Sequence, residues 1–275
     1  MAFVNWVTDR FLFGLAVVIY GGSTIYSVFL WRKGFRRDDR INYLLLAGAF
    51  LFHTAAMAKR GISLGYCPVH NLYEAIVFIA WGLALAYLGL GWWRRMRFLG
   101  ALVAPLLFGL GVCALMPALD PAHGPKPEFS GAGLSLHAAL VLLAYGALGL
   151  AAVAGAMFLA QEHNLKFHKL RAVLSLLPPI QRLQLVARRL SQIGFALLTV
   201  GLYYGARLPQ PDGVVYFQDA KVIWACALWL ACLVLLVLRW RGLSPRRFAW
   251  GVVGLFVFVL LTFWGTHLLS PLHNP

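Results

Sequence analysis

Three of the chain's eight histidines, His53, His137 and His273, lie within or beside long apolar segments. Imidazole nitrogen is a common axial ligand of haem iron, and two opposed histidines can hold that iron six-coordinate. The same nitrogen binds zinc, but HxxxH and HExxH spacings are absent and carboxylates near these residues are few. A histidine inside a membrane is a candidate for function because its burial is costly, yet it can equally bond a neighbouring helix. Taken singly, each of the three is as readily explained that way, or as a solvated loop residue. What argues for a shared site is the charge pattern described below, which directs all three to one membrane face. His267 could substitute for His273, and His70, His123, His163 and His168 carry less weight. Haem also needs apolar and aromatic surface; ten Trp, ten Tyr and nineteen Phe could supply it, although aromatic residues are common at membrane interfaces in any case.

The elements that must position these residues are membrane helices. With 61% hydrophobic residues, 12% charged residues and a mean hydropathy of +0.76, the chain exposes far too much apolar surface for a soluble domain. A hydrocarbon core of about 30 Å takes roughly 20 apolar residues per helix, and backbone groups in lipid must bond within the segment. Eight spans are expected, at about 11–31, 41–58, 72–92, 98–117, 135–160, 189–206, 220–238 and 248–268. The runs are too long and too continuously apolar for the strands of a β-barrel. The expected fold is therefore an all-α polytopic bundle forming a single transmembrane domain over residues 1–275.

Orientation follows from Lys and Arg. Eighteen of the 24 fall in the connections after spans one, three, five and seven, which makes those connections cytoplasmic and puts both termini outside. With Asp38, Asp39 and Glu162 subtracted, the whole net charge of +15 sits on the inner face. The basic character is then a matter of topology, and no nucleic-acid partner is expected. The N-terminus lacks a basic leader and a small-residue cleavage site, so the first helix is expected to stay uncleaved. Cys113, Cys226 and Cys232 fall in spans and Cys67 in an outer loop, with no CxxC pair, so neither thiol–disulfide nor structural zinc chemistry is expected.

Three connections exceed simple turns: outer loops at 118–134 and 207–219 and a basic cytoplasmic loop at 161–188. Within the last, IQRLQLVARRLSQIGF reads as an amphipathic helix, with Ile180, Leu183, Leu185, Val186 and Leu190 on one side and Arg182, Arg188 and Arg189 free to meet headgroups. A helix lying on the membrane surface, or a docking site for a cytoplasmic partner, is expected there. The centre of the outer loop at 207–219, GVVYF, is apolar and aromatic on the watery side, and is expected to cover something or to insert at the interface. At the start of span three, HNLYEA places Glu74 three residues after Asn71, the spacing of a capping box.

That segment also carries a resemblance. GYCPVHNLYEAIVFIAW (residues 65–81) resembles the "GxxPxxNxYES" helix entrance of the cytochrome c assembly protein family, the CcsA/HemX-like membrane proteins. His53 matches a histidine preceding that signature. LHAALVLLAYGALGLA from Leu136 resembles the family's "HxxxxxxxYxxf" helix, and the stretch from Leu177 resembles the approach to its tryptophan-rich loop. The resemblance implies a bundle that receives haem, expected as haem b, and presents it at the outer face of a bacterial cytoplasmic membrane for attachment to cytochrome c. It implies His137 and His273 as external axial ligands and His53 as a deeper intramembrane ligand or relay. It also implies partners: lipid, haem, apocytochrome c, and a second membrane subunit with a large external domain.

Two departures bear on this. Where the family reads "WGxYWSWDPKExW", the chain has GVVYFQDAKVIW: Tyr216 and Gln218 replace tryptophans, while Asp219, Lys221 and Trp224 match. Where cytochrome c synthases carry a second intramembrane histidine in "LHxR", the chain has Val237. The expectation is thus one outer haem site on the HemX-like side of the family, under a lid of residues 207–221, with Asp219, Lys221, Trp224 and Tyr216 near the cofactor and Asn71 and Glu74 fixing the loop before span three. No independent catalytic motif is present, so the chain is expected to be at most part of a haem-attachment complex. The rivals are an adaptor regulating haem biosynthesis through loop 161–188 and, less favoured, a transporter of haem or a small ion, since intramembrane acids are nearly absent.

Overall fold

The computed structural model describes residues 8–32, 40–65, 68, 71–92, 94–121, 132–167, 180–208 and 216–268. Among these there is no strand, and eight helices are long and apolar enough to cross a membrane. They are α1 (Asp9–Arg32), α2 (Arg40–Leu64), α3 (Leu72–Gly91), α4 (Gly100–Ala114), α5 (Ala132–Phe167), α6 (Ile180–Gly205), α7 (Ala220–Trp240) and α8 (Pro245–Leu268). Short 3-10 turns at Arg94–Leu99, Pro117–Leu119 and Tyr216–Gln218 tighten three of the connections.

The helices form two groups of four. In the first, α1 packs on α2 and α4, and α3 also packs on α2 and α4; in the second, α5 packs on α6 and α8, and α7 also packs on α6 and α8. The groups meet where α3 lies against α5, and these two helices are the most buried of the eight. They run in the same direction: Ala75 and Phe78 share a cluster with Leu142 and Tyr145, while Ala84 and Tyr87 share another with Leu150 and Met157. At the crossing, a Cβ on Gly146 would lie 2.6 Å from the Gly82 carbonyl carbon and 2.7 Å from the Leu83 nitrogen. Only glycine permits this backbone-to-backbone contact, the usual route to close helix packing where lipid and side chains are equally apolar.

Most boundaries agree with the hydropathy pattern; α2 runs six residues beyond its expected end, to Leu64, and the other main differences lie at the basic loop. Helix α5 continues to Phe167 and α6 begins at Ile180, so helix occupies both flanks of the loop expected at 161–188. The amphipathic stretch is not a separate surface helix but the first turns of α6. Its apolar face finds protein in place of headgroups: Leu183, Val186, Ala187 and Leu190 are buried with Phe158 of α5 and Phe248 and Ala249 of α8. Arg188 and Arg189 stay exposed on the other side.

The end at which α1, α3, α5 and α7 begin is termed the upper end; the lower end carries the turns after those helices, including Arg94–Leu99 and Arg239–Arg247. Replacing Gly146 by Ala should push α3 from α5 and cost about 1–3 kcal/mol. Gly48, whose Cβ would meet nothing within 4 Å, should tolerate Ala within about 1 kcal/mol. Unfolding of the two variants in detergent tests the contrast.

Candidate functional site

The polar groups of the upper end fall into two sets, one in each half of the bundle. In the first, the start of α3 is fixed by Asn71, whose Oδ1 accepts from the Glu74 amide at 2.8 Å while Glu74 Oε2 accepts from the Asn71 amide at 3.4 Å, completing a capping box. The remaining Glu74 oxygen accepts from Arg60 Nε at 2.7 Å. Arg60, one turn before the end of α2, is buried, and its Nη1 reaches Asp9 at 2.8 Å and its Nη2 reaches Asp120 at 2.5 Å. Asn71 Nδ2 donates to Asp120 at 2.9 Å, and Arg10 pairs with Asp120 at 3.5 Å. The Tyr73 ring lies 4.7 Å under the Arg60 guanidinium, a cation–π contact. One guanidinium thereby ties the start of α1, the end of α2, the start of α3 and the segment after α4.

Sequence reasoning does not find Arg60, because a span ending at residue 58 leaves it in a loop. The helix in fact runs to Leu64. A base within an otherwise apolar helix is a signal for a buried partner, and it becomes visible once the span is drawn four or more residues longer.

His53 lies deeper in the same half and is fully buried. A carbonyl can only accept, so His53 Nε2–H donates to the Val77 carbonyl at 3.0 Å; Nδ1 is left to accept from the Tyr20 hydroxyl at 3.1 Å. Phe13 closes on the ring edge with centroids 4.9 Å apart. Both nitrogens are engaged, and the residue bridges α1, α2 and α3. In this arrangement it has no lone pair left to offer iron.

His137 is built differently. It sits in the second turn of α5, where that helix packs against the end of α6, and its Nδ1–H donates to the Gly201 carbonyl at 2.8 Å. The proton is fixed on Nδ1, and Nε2 keeps its lone pair on a ring that is only partly buried. The Lys221 ammonium is within electrostatic reach of this imidazole. Lys221 stands in the first turn of α7, which Asp219 caps by accepting from the Lys221 and Val222 amides at 2.9 and 3.2 Å. Asp219 is therefore a helix cap first. Trp224, one turn further, donates from Nε1 to Thr262 of α8 at 2.7 Å and meets Tyr145 of α5 edge-on at 5.9 Å. The upper ends of α5, α6, α7 and α8 are thus joined around the face that carries His137.

His137, Lys221, Asp219 and Trp224 belong to one region of the second half, whereas Asn71 and Glu74 belong to the Arg60 cluster of the first. Tyr216 contributes the 3-10 turn before α7, and its side chain lies outside the described residues. So do His273, the lid centre at 209–215, Cys67, His70, His123 and His168. Among the described residues no group of three or more His, Cys, Asp or Glu is placed to hold a metal ion.

An eight-helix bundle of this hydropathy, with its polar side chains gathered at the ends, is a multi-pass integral membrane protein. More particularly, the chain belongs to the cytochrome c assembly protein family, whose pattern matches residues 69–273. It is 27% identical to the cytochrome c biogenesis protein CcsA of Synechococcus sp. (strain JA-3-3Ab), over 90% of this chain and 87% of that protein. It is 25% identical to Protein HemX of Brevibacillus brevis, over 81% of this chain and 80% of that protein. The CcsA of Synechococcus sp. (strain RCC307) is 29% identical over 84% and 83%. Overall identity to the two kinds of relative is comparable.

Removing the Arg60 charge tests the first set of residues. Arg60→Gln removes the guanidinium shared by the carboxylates of Glu74, Asp9 and Asp120, with Arg10 still beside Asp120, and should destabilise the protein by about 3–5 kcal/mol. Adding Glu74→Gln should cost less than the sum of the two single changes, which a double-mutant cycle of unfolding in detergent would show.

Proposed function

We propose that this protein holds haem at its upper end and presents it for cytochrome c assembly, with His137 as one axial ligand. The observation that carries the proposal is the His137–Gly201 hydrogen bond. Histidines that bind metals commonly donate their other ring N–H to a backbone carbonyl, which sets the tautomer and the ring direction and raises the basicity of the ligating nitrogen. His137 has this arrangement and His53 does not. Family membership and the names of the CcsA relatives support a role in cytochrome c assembly; haem, in this reading haem b, and apocytochrome c are the ligand and client that role would take.

The second axial ligand in this proposal is His273, five residues beyond the end of α8 in the sequence. When bound, haem would supply the iron and the vinyl groups through which cytochromes c are attached; the residues of this chain bind, orient and shield it. Lys221 offers positive charge for the haem carboxylates. Asp219 holds Lys221 in place by capping α7, and Trp224 braces α7 against α5 and α8. In this reading the stretch 207–221 would supply the aromatic cover, while Asn71 and Glu74, through Arg60, hold the upper connections of the other half. His53 enters as a tie between helices, not as a ligand. The excess of Lys and Arg in the lower connections supports an upper end that faces outward from a bacterial cytoplasmic membrane. A second membrane subunit with an external domain would then complete the attachment complex, to which this chain adds no catalytic group of its own.

Protein purified in mild detergent and supplemented with haem should show a Soret band. His137→Gly should lose or shift that band, and added imidazole should restore it; His273→Ala should shift it as well. His53→Leu should leave the spectrum unchanged while costing about 1–3 kcal/mol of stability, because the Tyr20 hydroxyl and Val77 carbonyl lose their partner. A protein that stays colourless with haem, or a band indifferent to His137 and His273, would overturn the assignment. Similarity to Protein HemX favours one second reading, an adaptor that engages a soluble enzyme of haem biosynthesis through loop 161–188. Co-purification of such an enzyme, abolished by neutralising that loop's bases, would support it.

A further inference from the structure

At the lower half of the bundle, away from His137, an apolar groove of about 470 Å³ opens between α7 and α8 toward the lipid. On α7 it is lined by Ala227, Ala231, Val234, Leu235 and Leu238, and on α8 by Gly251, Gly254, Leu255 and Phe258. From Ala227 to Leu238 the α7 wall rises about 16 Å at 1.5 Å per residue. That is about half of a 30 Å hydrocarbon core, the depth of one leaflet.

The groove ends at charge. Residues three and four apart share a helix face, so the α7 lining at Leu238 continues to Arg241 and the α8 lining at Gly251 continues back to Arg247. Both arginines are exposed, and neither is paired with a carboxylate among the described residues. The tight turn between the helices, with Gly242 at φ +100°, keeps the two close in sequence and at the same level. Trp240 and Trp250, both exposed, flank this level, where indole rings favour the headgroup region. An apolar trough whose two lining faces lead, by helix periodicity, to two exposed arginines without a carboxylate partner among the described residues is complementary to one kind of molecule.

We propose that the α7–α8 groove binds an anionic phospholipid of the lower leaflet, with an acyl chain along Ala227–Leu238 and Gly251–Phe258 and the phosphate between Arg241 and Arg247. Guanidinium suits this role because its planar fork matches phosphate oxygens two at a time. The bound lipid fills a gap that would otherwise leave α7 and α8 in partial contact, and so belongs to the packing of the half that carries His137. The inference does not rest on haem binding: a colourless protein could still hold the lipid, and a haem-loaded one could lack it.

The test is native mass spectrometry of the full chain in detergent, titrated with phosphatidylglycerol or with phosphatidylcholine of the same acyl chains. Phosphatidylglycerol should be retained in preference, as a single tightly held adduct. R241Q with R247Q should weaken that adduct about fivefold per arginine removed, whereas R188Q with R189Q, an equal loss of charge at the same end of α6, should leave it unchanged. Gly254→Leu, whose Cβ meets nothing within 4 Å, and Ala231→Leu should each displace the lipid without lowering the melting temperature. Equal weakening by both arginine pairs would reduce the effect to general surface charge and overturn the site. So would equal retention of the two lipids, or a chain that ignores phosphatidylglycerol and runs as a dimer, which would assign the groove to a second copy. If a groove variant melts early, the two arginine pairs alone decide the matter.

Discussion

The contact of α3 with α5 through Gly82 and Gly146 is the constraint on which the rest of the molecule depends. In lipid no hydrophobic drive separates helix–helix from helix–lipid contact, so association depends on close van der Waals fit. A glycine at this crossing lets the two backbones touch, with a Gly146 Cβ excluded by atoms 2.6 and 2.7 Å away. Every other pairing with a sizeable contact area lies within one group of four helices or the other. The crossing therefore decides how the Arg60 cluster and the His137 region stand relative to each other. It also explains why α3 and α5 are the least lipid-exposed spans, although their sequences are no more apolar than that of α7, whose mean hydropathy is the highest of the eight.

Two histidines of the same type differ in chemistry through their neighbours alone. His53 is enclosed by Tyr20, Phe13 and Val77, and each of its nitrogens has a partner. Its proton is held on Nε2 and its lone pair is spent on a hydroxyl. His137 has its proton held on Nδ1 by the Gly201 carbonyl, which leaves Nε2 with its lone pair. In a low-dielectric surround an unsatisfied nitrogen is expensive. A nitrogen left without a partner is therefore informative, whereas a satisfied one is explained by packing.

The fold was legible in the sequence because the bilayer makes hydropathy nearly sufficient: eight apolar runs of span length became eight helices. The capping box at Asn71 was legible for a local reason, since its geometry is contained within four residues. What could not be read was whatever depends on contacts between distant segments. Arg60 collects partners 14, 51 and 60 residues away, and no local pattern announces that. The amphipathic stretch from Ile180 was legible as amphipathic but not as buried, because periodicity reports that one face is apolar without saying whether lipid headgroups or Phe158 and Phe248 will cover it. Asp219 matched a motif position, yet its two backbone acceptor bonds show a cap. A motif can coincide with a structural need and be retained for it.

The Arg60 cluster illustrates how such a bundle manages its own ends. Asp9, Glu74 and Asp120 each lie where a helix begins or has just ended, and Asp9 and Glu74 sit in first turns, where the helix dipole already favours negative charge. One guanidinium with five donors can serve all three, and a lysine with three donors on a rotatable ammonium would match that planar set less well. Burial makes the arrangement costly to assemble, and its net contribution to stability can be small, since desolvating four charged groups opposes the attraction among them. Its consequence is specificity: if α1 slid by a turn, Asp9 would leave the guanidinium, and if the loop after α4 shifted, Asp120 would leave both Arg60 and Asn71. Four chain segments that lipid alone would not align are thereby held in one register, and the upper connections start from fixed points.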